Sequence, residues 1–387
     1  GDVINTSTDV NYQLLEATVS GTLTVSTALS TISKLGNEIK PTTDTITPGQ
    51  HIVLNSSGTI VAISDQYQSL SIANSGVVYV WQYISETNSW VQMGSAIEGI
   101  TGDYLGGGVD DRGLSISDDG MRIGAVTRSG SKIWEYDGTE WIQLGSILPG
   151  SRTVQLSGDG STVLVSGTGH YAYELSTYEY NTTVSNEWSQ KGITFTGFDY
   201  LGNSGVINSL GTIIGMSYKN NSDEYKTDLY EFSSGSWVKI GSTIDVPVGY
   251  KIISMNALGT RILISRIYAT ITESQQGQIL IYDFDQDWTQ HSSIEGEFTQ
   301  KVGDFGTLLS DDGTKIVGTN EYAATTLLYE QSGSTWNRLG NIISAPGSHS
   351  YRLGMNKNGT VLVIKDDASN TGIKKIYAYA PVYTVTE

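Results

Sequence analysis

The stretch GLSISDDGMRIGAVTRSGSKIWEYDGTEWIQLGSILPG, Gly113–Gly150, holds one complete copy of a unit that recurs along almost the whole chain. Short segments alternate apolar and polar residues around the tight turn Asp119-Gly120, and the unit ends with Trp141 followed by Leu144-Gly145. Alternation with a period of two predicts β-strands, and a glycine turn between two such segments predicts a hairpin. The unit therefore predicts a small antiparallel sheet.

Two residue types mark the repeat. A turn glycine stands between two apolar strands in seven places about 50 residues apart: Gly58, Gly120, Gly160, Gly211, Gly259, Gly313 and Gly359. We expect each to adopt a positive φ in a two-residue hairpin. A tryptophan recurs at spacings of 47 to 51 residues: Trp90, Trp141, Trp188, Trp237, Trp288 and Trp336. Their fixed place in the unit favours packing between units over stacking on sugars.

Four strands in each unit of about 50 residues are typical of a β-propeller blade. The seventh unit ends near Val385 without a Trp or a Leu-Gly, whereas Lys34–Ile39 resembles the end of a unit whose beginning is missing. Pairing this first strand into the last blade closes the ring and removes exposed sheet edges. We therefore predict an all-β, seven-bladed β-propeller over residues 34–387, closed by an amino-terminal strand.

Residues 1–33 form a Ser/Thr-rich extended leader. Leu15–Ser33 has no charge after Glu16 and alternates small polar and apolar residues. Two interpretations stay open, a flexible tail or an edge strand that docks on assembly neighbours or another protein. The second is favoured because flexible tails usually carry more charge. Since the chain begins with Gly1-Asp2 and not with Met, we also expect a processed or trimmed product.

Composition excludes several classes of function. The 387 residues include 22 Lys and Arg against 40 Asp and Glu, a net charge of −18, which disfavours nucleic acid and anionic membranes as partners. No run of 18 apolar residues predicts a membrane span. The absence of Cys excludes disulfides, thiolate nucleophiles and sulfur-ligated metals. No cofactor is predicted.

The units resemble the tandem LSxDG … W.xLG repeats of secreted and surface β-propellers, which are similar to FG-GAP and kelch-like rings. The clearest match is Gly303-Asp304-Phe305-Gly306 leading into Leu309-Ser310-Asp311-Asp312-Gly313, and weaker ones lie at 102–106 and 198–202. The resemblance implies the propeller fold and a secreted or virion-surface setting. The DxDxDG calcium loops of the integrin type are absent, which argues against a metal site.

Loops between the second and third strands of a blade share one face with the links between blades. We call it the loop face, and the opposite one the tight-turn face. The loops vary in length here, which favours recognition, although neutral drift would also produce it. In three links an Asp precedes an aromatic residue, which gives six candidate ligand-binding residues: Asp103, Tyr104, Asp199, Tyr200, Asp304 and Phe305.

Catalysis finds little support in the residues. The four histidines fall in different units without metal-ligand spacing, and the pairs Asp118-Asp119 and Asp311-Asp312 stand in hairpin turns, which Asp favours. No catalytic residue is predicted. Five arginines could converge on a carboxylate, although the sequence does not show that they do: Arg112, Arg128, Arg152, Arg266 and Arg352.

Two functions remain. The first is a non-catalytic structural or adhesion module, extracellular or displayed on a virion, filament or cell surface, which binds a protein partner through the loop face. The alternative is a carbohydrate-binding or carbohydrate-hydrolysing propeller. Two carboxylates roughly 5–10 Å apart in a pocket would favour hydrolysis.

Overall fold

The computed structural model describes residues 3–4, 26–40, 51–108, 112–167, 174–182, 186–197, 199, 205–266, 277–295, 307–320, 325–344, 353–366 and 375–386. Two strands precede the first blade: β1 (Val3–Ile4) and β2 (Ser26–Ile39). Blade 1 consists of β3 (Ile52–Leu54), β4 (Ile60–Asp65), β5 (Val77–Ile84) and β6 (Ser89–Gln92), with the short β7 (Ile97–Glu98) also paired to β5. One 3-10 turn, Ser85–Thr87, joins β5 to β6.

The next three blades each contain four antiparallel strands. Blade 2 consists of β8 (Leu114–Ile116), β9 (Arg122–Thr127), β10 (Gly130–Tyr136) and β11 (Trp141–Gln143). Blade 3 consists of β12 (Thr153–Leu156), β13 (Thr162–Ser166), β14 (Leu175–Asn181) and β15 (Glu187–Gln190). Blade 4 consists of β16 (Val206–Ile207), β17 (Ile213–Lys219), β18 (Tyr225–Ser233) and β19 (Ser236–Asp245).

The last three blades complete the ring and confirm the predicted seven-bladed propeller. Blade 5 consists of β20 (Tyr250–Met255), β21 (Arg261–Arg266), β22 (Gln278–Asp285) and β23 (Asp287–Glu295). Blade 6 consists of β24 (Leu308–Leu309), β25 (Lys315–Asn320), β26 (Thr325–Ser332) and β27 (Thr335–Ser344). Blade 7 contains β28 (Leu353–Met355), β29 (Leu362–Asp366) and β30 (Lys375–Thr386), and β2 supplies its fourth strand.

The amino-terminal strand closes the ring, as predicted. β2 runs antiparallel to β30, with Ser26 opposite Thr386 and Leu35 opposite Ala378. The closing strand therefore begins at Ser26, within the segment that the sequence sets apart as the leader. The two-residue strand β1 also pairs with β30, with Val3 opposite Thr384.

Each first-to-second strand turn begins with Asn or Ser and ends with the marker glycine. In blade 1 the Gly58 N–H donates to the Asn55 carbonyl at 3.1 Å. The marker glycines have φ between +67° and +79°, a region that side chains disfavour. The prediction of a two-residue hairpin loop is wrong, because four residues separate Asn55 from Ile60, which pair across the turn. A loop of this length is usually built on a type I turn, which alone would splay the two strands. The glycine in the left-handed region restores their twist.

Two side-chain solutions stabilise these turns. In the Asn type, Asn55 Oδ1 accepts the N–H groups of Thr59 and Ile60, both at 2.9 Å. In the Ser-x-Asp type, Ser117 Oγ donates to Asp119 Oδ1 at 2.5 Å and accepts the Arg122 N–H at 2.9 Å. The second Asp of the pair thus serves the turn itself, which is the role that the sequence favours for it.

The marker tryptophans lie between adjacent blades. Trp188 of blade 3 donates its ring N–H to the Leu144 carbonyl of blade 2 at 2.9 Å. Gly145 follows Leu144 with φ +69°, and a Cβ there would stand 2.7 Å from Trp188 Cδ1. The Leu-Gly of one unit therefore contacts the tryptophan of the next. Blade 5 has Ser292 at the glycine position, and its hydroxyl accepts the Trp336 N–H at 3.1 Å.

The hydrophobic core is divided into clusters between neighbouring blades. One cluster joins Ile133 of blade 2 to Val154, Val163 and Trp188 of blade 3. Alternate residues of each strand face opposite neighbours, so both faces of an inner strand are buried. Among the described residues, no helix is long and apolar enough to cross a membrane.

Candidate functional site

The loop face carries a cavity of about 620 Å³ at the junction of blades 1, 2 and 3. We call it the loop-face pocket. Ten residues line it: Gln66, Asp103, Tyr104, Gly107, Gly108, Val126, Thr127, Arg128, Ser151 and Arg152. The residues come from the end of β4, the link between blades 1 and 2, the end of β9 and the entry to β12. Two of the six predicted ligand-binding residues, Asp103 and Tyr104, thus lie in one cavity.

Asp103 is buried and already has partners. Its carboxylate lies 2.9 Å from Lys132 Nζ and accepts the Ile100 N–H at 3.1 Å. Its carbonyl accepts the Arg128 N–H at 2.8 Å, which ties the link to the end of β9. Asp103 therefore positions the pocket wall, and its charge is balanced by Lys132.

Tyr104 occupies the left-handed region with φ +50°. Such a conformation is uncommon for a residue that is not Gly, Asn or Asp, and it is held here by neighbouring hydrogen bonds. The Tyr104 N–H donates to the Asn74 carbonyl at 3.2 Å, and the next residue, Leu105, donates to Ser75 at 2.9 Å. The link therefore runs along loop 66–76, and the half-buried Tyr104 lines the pocket.

Glu98 fixes loop 66–76 beside the pocket. Its Oε1 accepts the N–H groups of Leu70, Ser71 and Ile72 at 2.8–3.0 Å and the Ser75 hydroxyl at 3.0 Å. Partial burial alone would raise the pKa of Glu98, but the hydrogen bonds from Ser71, Ile72 and Ser75 outweigh it and lower the pKa to about 2. The loop is therefore wrapped around an ionised carboxylate.

The remaining candidates do not join this site in the described part of the chain. Asp199 is exposed and forms a bridge with Lys219 at the edge of blade 4. Tyr200, Asp304 and Phe305 lie outside the described residues. Of the five arginines, Arg128 and Arg152 line the loop-face pocket together.

A second cavity, about 220 Å³, follows the axis of the ring between the innermost strands. At its loop-face end, Arg112 Nη2 donates to the Ile252 carbonyl at 2.9 Å, and Nη1 donates to the Gly205 carbonyl. Arg112 of blade 2 thus reaches blades 4 and 5 across the axis. Apolar residues such as Leu54, Leu114 and Met355 form part of the walls.

An ion cluster closes the tight-turn end of this channel. Lys357 Nζ lies 3.3 Å from Asp118 Oδ1 and 3.4 Å from Asp311 Oδ1, and the Ser209 hydroxyl donates to Asp118 Oδ2 at 3.0 Å. We call Asp118, Asp311 and Lys357 the axial ion cluster. Burial raises the pKa of Asp311, with Lys357 acting in the opposite direction and Asp118 adding to the rise. The cluster links blades 2, 6 and 7.

Sequence reasoning missed both Glu98 and the axial ion cluster. Asp118, Asp311 and Lys357 occupy the same position, directly after the first residue of the turn. Aligning the seven turns would have shown opposite charges at one position that faces the axis. For Glu98 the sequence carries no comparable signal, because its partners depend on the path of loop 66–76.

Groups of three or more His, Asp or Glu side chains able to hold a metal ion do not occur among the described residues. Among the described lining residues Asp103 is the one acidic side chain, so they do not supply the carboxylate pair that would favour glycoside hydrolysis. The described lining is otherwise composed of polar, basic, apolar and glycine residues.

Comparisons with known proteins agree on the fold. No protein-family model matches the chain, and no curated protein matches it. The Cps50 (Swd1) β-propeller domain of Myceliophteria thermophila aligns with a TM-score of 0.56 at 9% identity, over 88% of this chain and 98% of that one. Hydrazine synthase of Kuenenia stuttgartiensis aligns with a TM-score of 0.59 at 10% identity, over 88% and 97%.

A proposed 6-phosphogluconolactonase of Bacteroides fragilis aligns with a TM-score of 0.54 at 11% identity, over 76% of this chain and 84% of that one. Such low identities show the propeller fold alone, which carries both enzymes and protein-interaction modules. The resemblance to FG-GAP and kelch-like repeats stays a prediction.

Proposed function

We propose that the chain is a non-catalytic binding module whose loop face contacts a partner, displayed on a virion, filament or cell surface as a structural or adhesion element. The propeller fold supports protein interaction in general. The observation that carries the proposal is the loop-face pocket, a cavity of about 620 Å³ beside a loop that Glu98 holds in one position. A preformed site of this kind lowers the entropic cost of binding.

The contrast between the two faces supports this assignment. The tight-turn face repeats one short turn in every blade, and its axial end is closed by the axial ion cluster. The loop face has links and loops of different lengths, and three large apolar side chains beside the pocket are exposed: Tyr67, Leu70 and Ile100. Exposed apolar groups next to a concave site mark contact surfaces.

The chemistry of the pocket supports binding over catalysis. Asp103, the acidic residue of the described lining, is engaged by Lys132 at 2.9 Å and by the Ile100 N–H. Both contacts are made by the same carboxylate oxygen, Oδ2, so the carboxylate holds the pocket wall in place. Glycoside hydrolysis by the usual route needs a second carboxylate nearby.

One observation favours the carbohydrate alternative. Tyr104 lines the pocket next to Arg128 and Arg152, and an aromatic ring beside polar groups is also suited to a sugar. The lactonase-like structural neighbour leaves an enzymatic role possible for the fold. Binding without turnover and hydrolysis differ in their products, which makes the two candidates separable.

The test screens the purified protein on a peptide array and a glycan array, with soluble products measured in parallel. The loop-face variant is Tyr104→Ala with Arg128→Gln, and the control is Leu258→Ser, an exposed turn residue of the tight-turn face. We expect binding that the loop-face variant loses and the control keeps. Release of reducing sugar from an arrayed glycan would replace the proposal by a hydrolase.

The leader forms a second part of the proposal, as an assembly strand. Because β2 begins at Ser26, a chain that starts there keeps the complete closing strand and removes the preceding segment. Light scattering of both chains then separates assembly from folding. Assembly of the full chain and a monomeric shortened chain would support the role, whereas two monomers would remove self-assembly through the leader.

A further inference from the structure

We propose that the loop-face pocket binds the carboxylate side chain of an Asp or Glu in a partner protein, flanked by apolar residues. The inference rests on the proposed binding function and specifies the chemistry of the partner. Three properties of the site lead to it: the charges in the lining, the glycine floor and the apolar rim.

The described lining carries an exposed positive charge at Arg128. Asp103 and Lys132 neutralise each other through a contact of 2.9 Å, with the Asp103 side chain 4% exposed. Arg128 then remains as an exposed charged residue of the lining, on a chain whose net charge is −18. Guanidinium groups bind carboxylates through paired, planar hydrogen bonds, so an acidic side chain is the complementary ligand.

The floor of the pocket is backbone. A Cβ on Gly107 would lie 2.8 Å from the Tyr104 carbonyl oxygen, and one on Gly108 would lie 2.4 Å from the Cα of Gly113. Side chains are therefore excluded at both positions, and the space above them is open to a ligand. A glycine floor allows a partner side chain to approach the main chain closely.

The rim favours a protein over a glycan. Tyr67, Leu70 and Ile100 are 72%, 45% and 61% exposed. Tyr67 follows Gln66 of the lining, and the N–H of Ile100 is bonded to Asp103, so these apolar side chains flank the pocket. Leu70 and Ile100 are aliphatic, and exposed aliphatic side chains around a polar centre match a peptide with an acidic residue between apolar ones, whereas sugars are bound chiefly by aromatic rings.

The test uses an array of short synthetic peptides in matched pairs, each with Asp or Glu between apolar residues and its partner with Asn or Gln. Wild-type protein is compared with Arg128→Gln and Arg152→Gln. The control is Arg338→Gln, the same change of charge at an exposed position of blade 6, remote from the site. Circular dichroism confirms that each variant is folded, and a glycan array is run in the same buffer.

We expect acidic peptides to bind at least about tenfold more tightly than their amide partners, and this ratio to approach one in Arg128→Gln while Arg338→Gln keeps it. In one contrary outcome, peptide binding is lost in Tyr104→Ala while the acidic and amide peptides of each pair bind with equal affinity. That result would overturn the carboxylate inference and would still support the proposed binding function. Binding of glycans alone would overturn the inference and favour the carbohydrate alternative. Self-association that disappears in Arg128→Gln would show that the pocket binds a second copy of this chain, and would overturn the inference of a separate partner protein. Absence of binding to both arrays would reject this inference and the proposed binding function.

Discussion

At the scale of the residue, Glu98 shows how one carboxylate positions a recognition loop. Its oxygens collect three backbone N–H groups and two hydroxyls from residues 70–75. Each hydrogen bond to an ionised acceptor contributes about 1.5–3 kcal/mol in favourable settings, less where water competes. The geometry of the pocket edge therefore depends on the ionisation of this group.

Glu98→Gln is expected to lower the melting temperature at neutral pH and to increase hydrogen exchange in loop 66–76. The pKa of Glu98 falls from 4.5 to about 2 on folding, so the stabilisation is complete above pH 4.5 and is lost as pH falls toward 2. The difference in melting temperature between wild type and variant should shrink over that range. Glu86→Gln, at an exposed turn of the same blade, is the control. A constant difference across the range would contradict the assignment.

The neighbouring aspartates of the blade 6 turn are expected to respond in opposite directions. Burial raises the pKa of Asp311, so its charged form is disfavoured and stability falls as pH rises through the folded pKa. Asp311→Asn should therefore raise the melting temperature at pH 7, an effect absent at pH values where Asp311 is protonated in both states.

For Asp312, burial acts to raise the pKa, but hydrogen bonds from Ser310 and Thr314 outweigh it and lower the pKa. The stabilisation is present above the ordinary Asp pKa and is lost as pH falls. Asp312→Asn should destabilise the protein at pH 7 by about 1 kcal/mol, measured by chemical denaturation. Destabilisation of similar size by both substitutions would refute the distinction between the axial residue and the turn residue.

The residue scale also marks the limit of sequence reasoning. The positive φ of the marker glycines and the turn role of Asp119 follow from local chain geometry, which the sequence encodes directly. The role of Asp118 depends on Lys357, which another blade brings to the axis. Contacts between residues so far apart in sequence require the closed ring before they can be recognised.

At the scale of the element, neighbouring blades are joined where a tryptophan packs on the glycine of the preceding unit. Gly145→Ala is expected to destabilise the protein more than Gly235→Ala. Both have positive φ, where a Cβ costs about 1–2 kcal/mol, but a Cβ at Gly145 would press on Trp188 at 2.7 Å whereas Gly235 faces open space. Chemical denaturation should show an additional loss of about 1–3 kcal/mol for Gly145→Ala. Equal losses of stability in the two variants would mean that the Trp188 indole can be displaced without cost, which would contradict the prediction.

The repeat of Trp and Leu-Gly could be predicted from spacing because every joint uses the same two positions. The loop-face pocket could be predicted only in part. Asp103 and Tyr104 were marked by an Asp-aromatic pattern, whereas Arg128 and Arg152 reach the cavity from two other blades. The length of the first-to-second turn was predicted too short, since a glycine turn alone does not specify how many residues separate the paired strands.

At the scale of the whole molecule, ring closure by β2 is expected to decide stability. A chain that lacks residues 1–39 leaves the β30 edge of blade 7 unpaired and removes Ile39 from the core shared with blade 1. We expect a loss of cooperative unfolding and concentration-dependent aggregation, because an unpaired strand edge pairs with other chains. A chain that lacks only residues 1–25 should unfold cooperatively. Cooperative, monomeric behaviour of the shorter chain would contradict this role of β2.

The binding role of the loop face is tested most directly by hydrogen exchange of the full chain, with and without its tightest ligand from the arrays. The account predicts protection in loop 66–76 and in residues 99–108, with unchanged exchange in the turns that carry the marker glycines. Protection confined to the tight-turn face, with the loop face unchanged, would contradict it.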